Sequence, residues 1–239
     1  MTAPLRLTLD LFADPICPWC FIGKRNLERA LATYEGPKLD CKISWRTFML
    51  NPGMPPEGMN RGAYLEAKFG GAENAGAVYG RIRQAGLAAG LEFSFEKITR
   101  TPSTRAAHRA VRYVQETGKY AQTAAYVEAL FCAYFFDGQD IGRLEVLADV
   151  GASVGVGAGD LWTMFDSEAY IQEINAEDVH AREMGMGGVP GFILNRQFFL
   201  SGAQPVAAFH KLFDLIQTGE HLAPQTGDGA AVATGVARD

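Results

Sequence analysis

The chain opens with a strand pattern that gives way to a helical one. Apolar and polar residues alternate through LRLTLDL from Leu5, the period of a half-buried β-strand. From Pro18 to about Tyr34, apolar residues recur at helical spacing, with charged residues on the opposite face. A second strand is predicted from about Leu39 to Leu50, before the loop NPGMPPEGMN. If the helix connects the two strands, they are parallel neighbours, which predicts the opening of an α/β sheet.

The pattern then changes for about half of the chain. Between roughly Arg61 and Met184 one amphipathic helix follows another, and strand signals are nearly absent apart from the ambiguous LEFSFEKI. GVPGFILN and RQFFLSG then predict a hairpin that turns at Asn195 and Arg196, and a last helix follows from about Pro205 to Gln217. We expect a core of residues 1–60 and 185–220, an all-helical insertion over residues 61–184 and a mobile tail over residues 221–239.

Composition and charge exclude several classes of function. The 239 residues are 48% hydrophobic and 21% charged, with a net charge of -5, and no Lys/Arg run is suited to a phosphate backbone, so we expect no nucleic-acid partner. No apolar run approaches the roughly 18 residues of a spanning helix, so we expect no membrane partner. Asp10 and Asp14 interrupt any signal-peptide core. If Met1 is the natural start, these features predict a soluble cytoplasmic protein.

Two cysteines at CxxC spacing are the candidate chemistry. Cys17 and Cys20 lie where the first strand gives way to the first helix. A cysteine before the first turn of a helix has its thiolate stabilised by the helix dipole, and Pro18 suits the first helical position. Cys20, one turn later, can attack a mixed disulfide formed on Cys17. This order predicts thiol–disulfide exchange, with Cys17 as nucleophile and Cys20 as resolving thiol.

Other interpretations of the CxxC remain open at this point. A structural zinc ion needs four ligands, and the remaining cysteines, Cys41 and Cys132, have no metal-spaced companion. We therefore interpret Cys41 and Cys132 as small buried apolar residues and expect no metal. The CxxC could also be a structural disulfide or two unremarkable thiols, although a reducing compartment favours catalysis.

A proline before the returning strand is a second candidate feature. In GVPGF, Val189 and Pro190 stand immediately before an apolar strand, where proline is tolerated at the first position. A cis bond there would present the backbone of Val189 to a bound peptide. Spacing alone does not decide between cis and trans.

Several motifs together resemble a known family. DPICPWCFIGK, FMLNP, YLEAKFG, AHR, GVPGF and SGAQP are similar to the DsbA-like branch of the thioredoxin superfamily, close to FrnE-like dithiol-disulfide isomerases and to 2-hydroxychromene-2-carboxylate isomerases. The resemblance extends from about Leu7 to Ile216. It implies an α/β thioredoxin-like fold with a large helical insertion, a Cys17/Cys20 active site and a cis Val189–Pro190 bond.

The resemblance also implies residues that contact the substrate. Pro18, Trp19, Val189 and Pro190 would line the substrate site, and Asn51 of FMLNP and His108 of AHR are weaker candidates. This chain differs from the patterns of the related families in two ways. Trp19 stands where the DsbA branch commonly has histidine, which predicts a weaker oxidant than DsbA. The chromene-carboxylate isomerases and kappa-class glutathione transferases usually carry an active-site serine, whereas this chain has both cysteines.

Three functions follow as alternatives. The first is a thiol–disulfide oxidoreductase or isomerase for peptide or small-molecule thiols, without a tightly bound cofactor and with glutathione as a candidate redox partner. The second is a glutathione-dependent isomerase or transferase that uses Cys17 where its relatives use serine. The third is a non-catalytic peptide-binding module. The sequence leaves the substrate, the direction of redox chemistry and the choice between monomer and homodimer open.

Overall fold

A computed structural model describes residues 4–219. Its strands and helices, in chain order, are β1 (Leu5–Ala13), α1 (Pro18–Thr33), β2 (Leu39–Thr47), β3 (Met59–Asn60), α2 (Arg61–Phe69), α3 (Ala72–Ala88), β4 (Arg100–Thr101), α4 (Arg105–Thr117), α5 (Tyr120–Phe135), α6 (Leu144–Ser153), α7 (Ala158–Phe165), α8 (Ile171–Glu183), β5 (Gly191–Leu194), β6 (Phe198–Ser201) and α9 (Val206–Thr218). None of the helices in this part of the chain is long and apolar enough to cross a membrane.

The core is a four-stranded mixed sheet in the order β2-β1-β5-β6. β1 pairs with β2 in parallel along its full length, which confirms the predicted strand–helix–strand opening. β5 joins the other side of β1 in antiparallel register, with Leu11 opposite Phe192, and β6 completes the hairpin. The hairpin turns where predicted, because Asn195 and Arg196 both have positive φ and Gln197 donates to the carbonyl of Leu194.

Helix α1 packs closely on the hairpin because it carries a glycine at the contact. A Cβ atom on Gly23 would lie 2.9 Å from Cγ of Pro190 and 3.1 Å from the ring of Phe192. Phe192 is fully buried and packs edge-on against Phe209 of α9, with ring centroids 5.1 Å apart. This contact holds the first turns of α1 against the start of β5.

Helix α5 of the helical region docks on α1. Phe21 of α1 stacks on Phe131 of α5, with ring centroids 4.8 Å apart. Beside this contact Lys24, only 5% exposed, is ion-paired with Glu128 of α5 and with Glu28 on its own helix. Apolar stacking and a partly buried ion pair therefore fix the helical region to the helix that begins at the cysteines.

Two sequence predictions about strands are corrected. β2 ends at Thr47 and not at Leu50, because the backbone N–H groups of Met49 and Leu50 donate to the side chains of Asp178 and Asp14 and not to a neighbouring strand. The helical region is not all-helical, because β4 pairs with β3 in a two-residue antiparallel ladder. The ambiguous LEFSFEKI segment forms a short 3-10 turn.

The proposed division at residues 60, 184 and 220 stays a prediction. The tail predicted for residues 221–239 lies outside the described residues.

Candidate active site

Cys17 occupies the N-cap position of α1. Its φ and ψ of -93° and 111° are extended, and Pro18 follows at the first helical position. The carbonyl of Cys17 accepts from the N–H of Cys20 at 3.0 Å, so the first turn is closed directly on this residue. The sulfur therefore lies at the positive end of the helix dipole, where a thiolate is stabilised.

Cys20 lies one turn further along and is almost fully buried. Burial raises the pKa of its thiol well above the ordinary value of 9.0, and a hydrogen bond to Cys17 together with the charge of Cys17 raises it further. A hydrogen bond from the backbone of Asp14 opposes these effects. Cys20 is thus held as a protonated thiol near neutral pH, which suits a resolving cysteine and not an attacking one.

The segment that carries the proline lies against the cysteine pair. The Val189–Pro190 peptide bond is cis. The thiol of Cys17 donates to the carbonyl of Val189 across 3.6 Å, although 172 residues separate the two in sequence. Pro190 is buried against α1 near Gly23, and its carbonyl accepts from Gly202 at 2.8 Å. The structure therefore brings Cys17, Cys20, Val189 and Pro190 together.

The outer side of the pair is apolar and partly open. Trp19, between the two cysteines, is 37% exposed and is one of the exposed large hydrophobic side chains of the described chain. Pro18, its neighbour in sequence, and Val189, whose carbonyl contacts Cys17, are both half-buried.

Asp14 lies beneath the cysteines and was not predicted as a functional residue. It is fully buried, and its backbone carbonyl accepts from the N–H of Cys17 at 2.9 Å. Its carboxyl oxygens accept from the backbone N–H groups of Leu50 at 2.7 Å and Ile16 at 3.2 Å. Burial raises the pKa of Asp14 from 3.8 to about 7, which the two backbone hydrogen bonds oppose. A buried acid that titrates near neutral pH beside a thiol pair is a candidate proton acceptor.

His108 is also buried, which does not fit the predicted contact with substrate. It is 5% exposed, and its Nε2 lies 3.9 Å from Oδ1 of Asp14. Burial lowers the pKa of His108 from 6.5 to about 4, against the opposing charge of Asp178. The histidine is thus neutral, and it faces Asp14 and not the surface.

Asn51 lies at the edge of the site and is half-buried. Its side-chain amide is 3.3 Å from the hydroxyl of Tyr64, which also accepts from Nζ of Lys68 at 2.8 Å. Its neighbour Leu50 donates to Asp14, so the backbone of FMLNP is hydrogen-bonded to the buried acid three residues before Cys17. The structure shows this segment next to the site without placing Asn51 against Cys17.

The remaining cysteines, Cys41 and Cys132, pack against the hydrophobic core. All four cysteines are free thiols, and Cys41 and Cys132 are partly buried, which is less than the predicted burial but agrees with their interpretation as small apolar side chains. Burial raises the pKa of each of these two thiols to about 11. Within residues 4–219, no group of three or more His, Cys, Asp or Glu side chains is placed to hold a metal ion.

Comparison with known proteins identifies the family. Residues 8–214 match the DSBA-like thioredoxin domain. The chain belongs to this DSBA-like family. The expected thioredoxin fold with a helical insertion is confirmed, and membership supports an enzyme of the thiol–disulfide kind.

Two similar proteins match most of this chain. A crystal structure of a probable DsbA oxidoreductase from Streptomyces coelicolor is 27% identical and superposes with a TM-score of 0.79, covering 96% of this chain and 97% of that one. The uncharacterized protein YwbO of Bacillus subtilis is 24% identical over 191 residues, 78% of this chain and 86% of that protein.

More distant structures share the fold. Cytosolic disulfide reductase DsbM from Pseudomonas aeruginosa, solved with GSH, is 19% identical with a TM-score of 0.63 and covers 88% of this chain and 99% of that one. A 2-hydroxychromene-2-carboxylate isomerase is 15% identical with a TM-score of 0.65 and covers 89% and 97% of the two chains.

Proposed function

We propose that the protein is a thiol–disulfide oxidoreductase of the dithiol-disulfide isomerase type, with Cys17 as nucleophile and Cys20 as resolving thiol. One observation carries the proposal: Cys17 caps α1 and contacts the carbonyl of Val189, while Cys20 is buried one turn behind it. A sulfur at the N-terminus of the helix, 3% exposed, and a second, protonated sulfur one turn behind it are the two parts that disulfide exchange needs.

The exchange proceeds in two balanced steps. The thiolate of Cys17 attacks a substrate disulfide, so that a mixed disulfide forms and one substrate thiolate leaves. Cys20 then loses its proton and attacks the sulfur of Cys17, which breaks the mixed disulfide and releases the second substrate thiolate. The substrate gains two electrons and the cysteine pair becomes a disulfide. The reverse sequence oxidises a dithiol, and the reduction potential of the pair sets the direction.

Asp14 is the proposed proton acceptor for the second step. The charge of Asp14 is among the influences that raise the pKa of Cys20, and its backbone hydrogen-bonds to the same cysteine, so the two groups are neighbours. With its own pKa raised to about 7, Asp14 is ionised in part near neutral pH and can take the thiol proton.

The half-exposed apolar surface formed by Pro18, Trp19 and Val189 is proposed to bind the substrate, with Pro190 beneath it. Trp19 offers a large apolar face next to Cys17, which favours peptide disulfides over small hydrophilic ones. Asn51 is retained as a residue at the rim. We propose that the oxidoreductase acts in the cytoplasm with glutathione as a small-thiol redox partner and without a tightly bound cofactor. The structure of DsbM, a cytosolic reductase solved with GSH, supports that partner.

A glutathione-dependent isomerase is the second candidate function, and the fold shared with 2-hydroxychromene-2-carboxylate isomerase favours it. Cys20 separates the two functions. Disulfide exchange needs Cys20 to resolve the mixed disulfide, whereas a glutathione-assisted isomerisation needs only the residue at position 17.

The test compares Cys17→Ser, Cys20→Ser and the control Cys41→Ser. We expect glutathione-dependent reduction of a disulfide-bonded peptide to be lost with Cys17→Ser, to stall as a trapped mixed disulfide with Cys20→Ser, and to continue with Cys41→Ser. Full peptide reduction by Cys20→Ser would contradict the proposal. Isomerisation of a chromene carboxylate that persists in Cys20→Ser would favour the second candidate. Retained peptide binding with no turnover by the wild type would favour a binding module.

A further inference from the structure

Two buried titratable side chains meet beneath the cysteine pair, and one has an unsatisfied polar atom. Nε2 of His108 lies 3.9 Å from Oδ1 of Asp14, which is too long for a hydrogen bond. Among residues 4–219 this Nε2 has no hydrogen-bond partner, although His108 is only 5% exposed. Since an unpaired buried nitrogen costs free energy, its position opposite a carboxyl group requires a physical reason.

The two oxygens of Asp14 are engaged to different extents. Oδ2 accepts from the N–H of Leu50 at 2.7 Å and lies 3.5 Å from the hydroxyl of Thr104. Oδ1 accepts from the N–H of Ile16 at the longer distance of 3.2 Å, and it is the oxygen that faces His108. A proton that arrives at this carboxyl group is therefore accommodated best on Oδ1.

We propose that His108 is the positioning residue that holds this proton on Asp14. The inference rests on the proposed function. The S–H bond of Cys20 breaks, an O–H bond forms on Oδ1 of Asp14, and this O–H donates to Nε2 of His108, which stays neutral. The thiolate of Cys20 then forms the S–S bond with Cys17, and the substrate thiolate leaves with the electron pair of the broken mixed disulfide.

His108 is suited to accept a hydrogen bond and not to carry the proton itself. Burial lowers its pKa to about 4, well below the value of about 7 for Asp14, so the proton stays on the carboxyl group. The imidazole also hydrogen-bonds to the backbone of Phe48. Since Nε2 has no partner in the part of the chain that the structure describes, that bond uses the other ring nitrogen, and Nε2 is left as the acceptor of the neutral imidazole. The hydrogen bond needs Nε2 and Oδ1 to approach by less than 1 Å, from 3.9 Å to about 3 Å.

Charged groups near the pair come from several elements and are held in partnerships of their own. Asp178 is paired with Arg182, Glu177 is paired with Arg46 and Arg112, and Lys68 donates to Tyr64. These groups are the same in the wild type and in a His108 variant. The difference in pH profile between the wild type and the variant therefore isolates the effect of His108 on Asp14. Attack by Cys17 is followed separately, in its own kinetic phase.

The test uses stopped-flow mixing of the reduced protein with an aromatic disulfide that releases a coloured thiol. The first thiol released reports attack by Cys17, and the second reports resolution by Cys20. In the wild type we expect the second rate to rise with pH around the pKa of Asp14, about 7. With His108→Leu we expect this midpoint to fall by roughly half to one pH unit, the effect of one lost hydrogen bond to the protonated form. His108→Gln, which keeps an acceptor, should shift it less.

A purely structural role for His108 gives a different pattern. In an Asp14→Asn background, His108→Leu should leave the pH profile of the second phase unchanged, because there is no carboxyl proton to hold. An unchanged or upward midpoint with His108→Leu, or an equal shift in the Asp14→Asn background, would overturn the proposal. If His108→Leu does not fold, His108→Asn replaces it, since the shorter amide does not reach Oδ1. Loss of the first phase in the wild type would instead contradict the proposed function.

Discussion

Replacement of Asp14 by asparagine should make the protein more stable at neutral and alkaline pH. The carboxyl group is fully buried and its pKa is raised from 3.8 to about 7, mainly by desolvation. Between these two values the unfolded chain has released the proton and the folded chain has not. Folding therefore becomes less favourable as pH rises through this window, and the cost is fully present above about pH 7.

The magnitude follows from the same two values. At about 1.4 kcal/mol for each pH unit, the interval from 3.8 to about 7 corresponds to about 4 kcal/mol. Asparagine removes this cost, and its carbonyl oxygen can still accept from Leu50, whereas the hydrogen bond from Ile16 is lost at about 1 kcal/mol. Asp14→Asn should thus be about 3 kcal/mol more stable than the wild type near pH 8 and about 1 kcal/mol less stable near pH 3.

The stability of Asp14→Asn has to be compared with that of the wild type at each pH, because His108 also titrates in this range. Its pKa is lowered to about 4, so its contribution to stability has the opposite sign: stability rises with pH between about 4 and 6.5. In the wild type the two contributions cancel over much of this range. The difference between Asp14→Asn and the wild type removes the His108 term and leaves Asp14.

The assay is urea unfolding followed by tryptophan fluorescence at several pH values, with the slope against urea checked for constancy. The expected result is a stability difference that grows between about pH 4 and pH 7 and is constant above. A difference that does not change with pH would refute the reasoning that burial raises the pKa of Asp14.

Two further predictions concern packing and substrate contact. Gly23→Ala should destabilise the protein by about 1–3 kcal/mol and slow peptide reduction, because the new Cβ would lie 2.9 Å from Pro190. The control Gly76→Ala on α3 should be neutral or stabilising, because in the described chain the new Cβ would meet no atom within 4 Å beyond its chain neighbours and its own helix backbone; equal unfolding midpoints for both variants would contradict this. Trp19→Ala should cost about 1–2 kcal/mol of stability, less than a fully buried aromatic side chain, because the residue is 37% exposed. It should reduce kcat/KM for a peptide disulfide by about threefold to tenfold and have less effect on oxidised glutathione; an equal loss for both substrates would contradict a role in peptide binding.

Local patterns were sufficient for the parts of the fold that depend on neighbours in sequence. The alternation in β1, the helical spacing after Pro18 and the turn at Asn195 and Arg196 all predicted elements that the structure contains. The end of β2 was missed because tertiary contacts decide it: the backbone of Leu50 turns toward the side chain of Asp14, 36 residues away in sequence.

The site was predictable only in part for the same reason. Cys17 and Cys20 lie three positions apart in sequence, at a spacing that is itself a signal, whereas partners of Asp14 come from distant segments. Thr104 lies 90 residues from it in sequence, and His108 belongs to the same distant helix region. An acidic residue three positions before Cys17, at the end of an apolar strand, was the one local sign of the buried acid.

The central claim is that Cys17 and Cys20 form a redox-active pair. The most direct measurement equilibrates the protein in buffers of reduced and oxidised glutathione, traps free thiols and determines by mass which cysteines are oxidised. We predict one intramolecular disulfide between Cys17 and Cys20 that titrates with the glutathione ratio, and a mixed disulfide at Cys17 in the Cys20→Ser variant. A wild-type protein that forms no disulfide at any ratio, or that reacts first at Cys41 or Cys132, would contradict it.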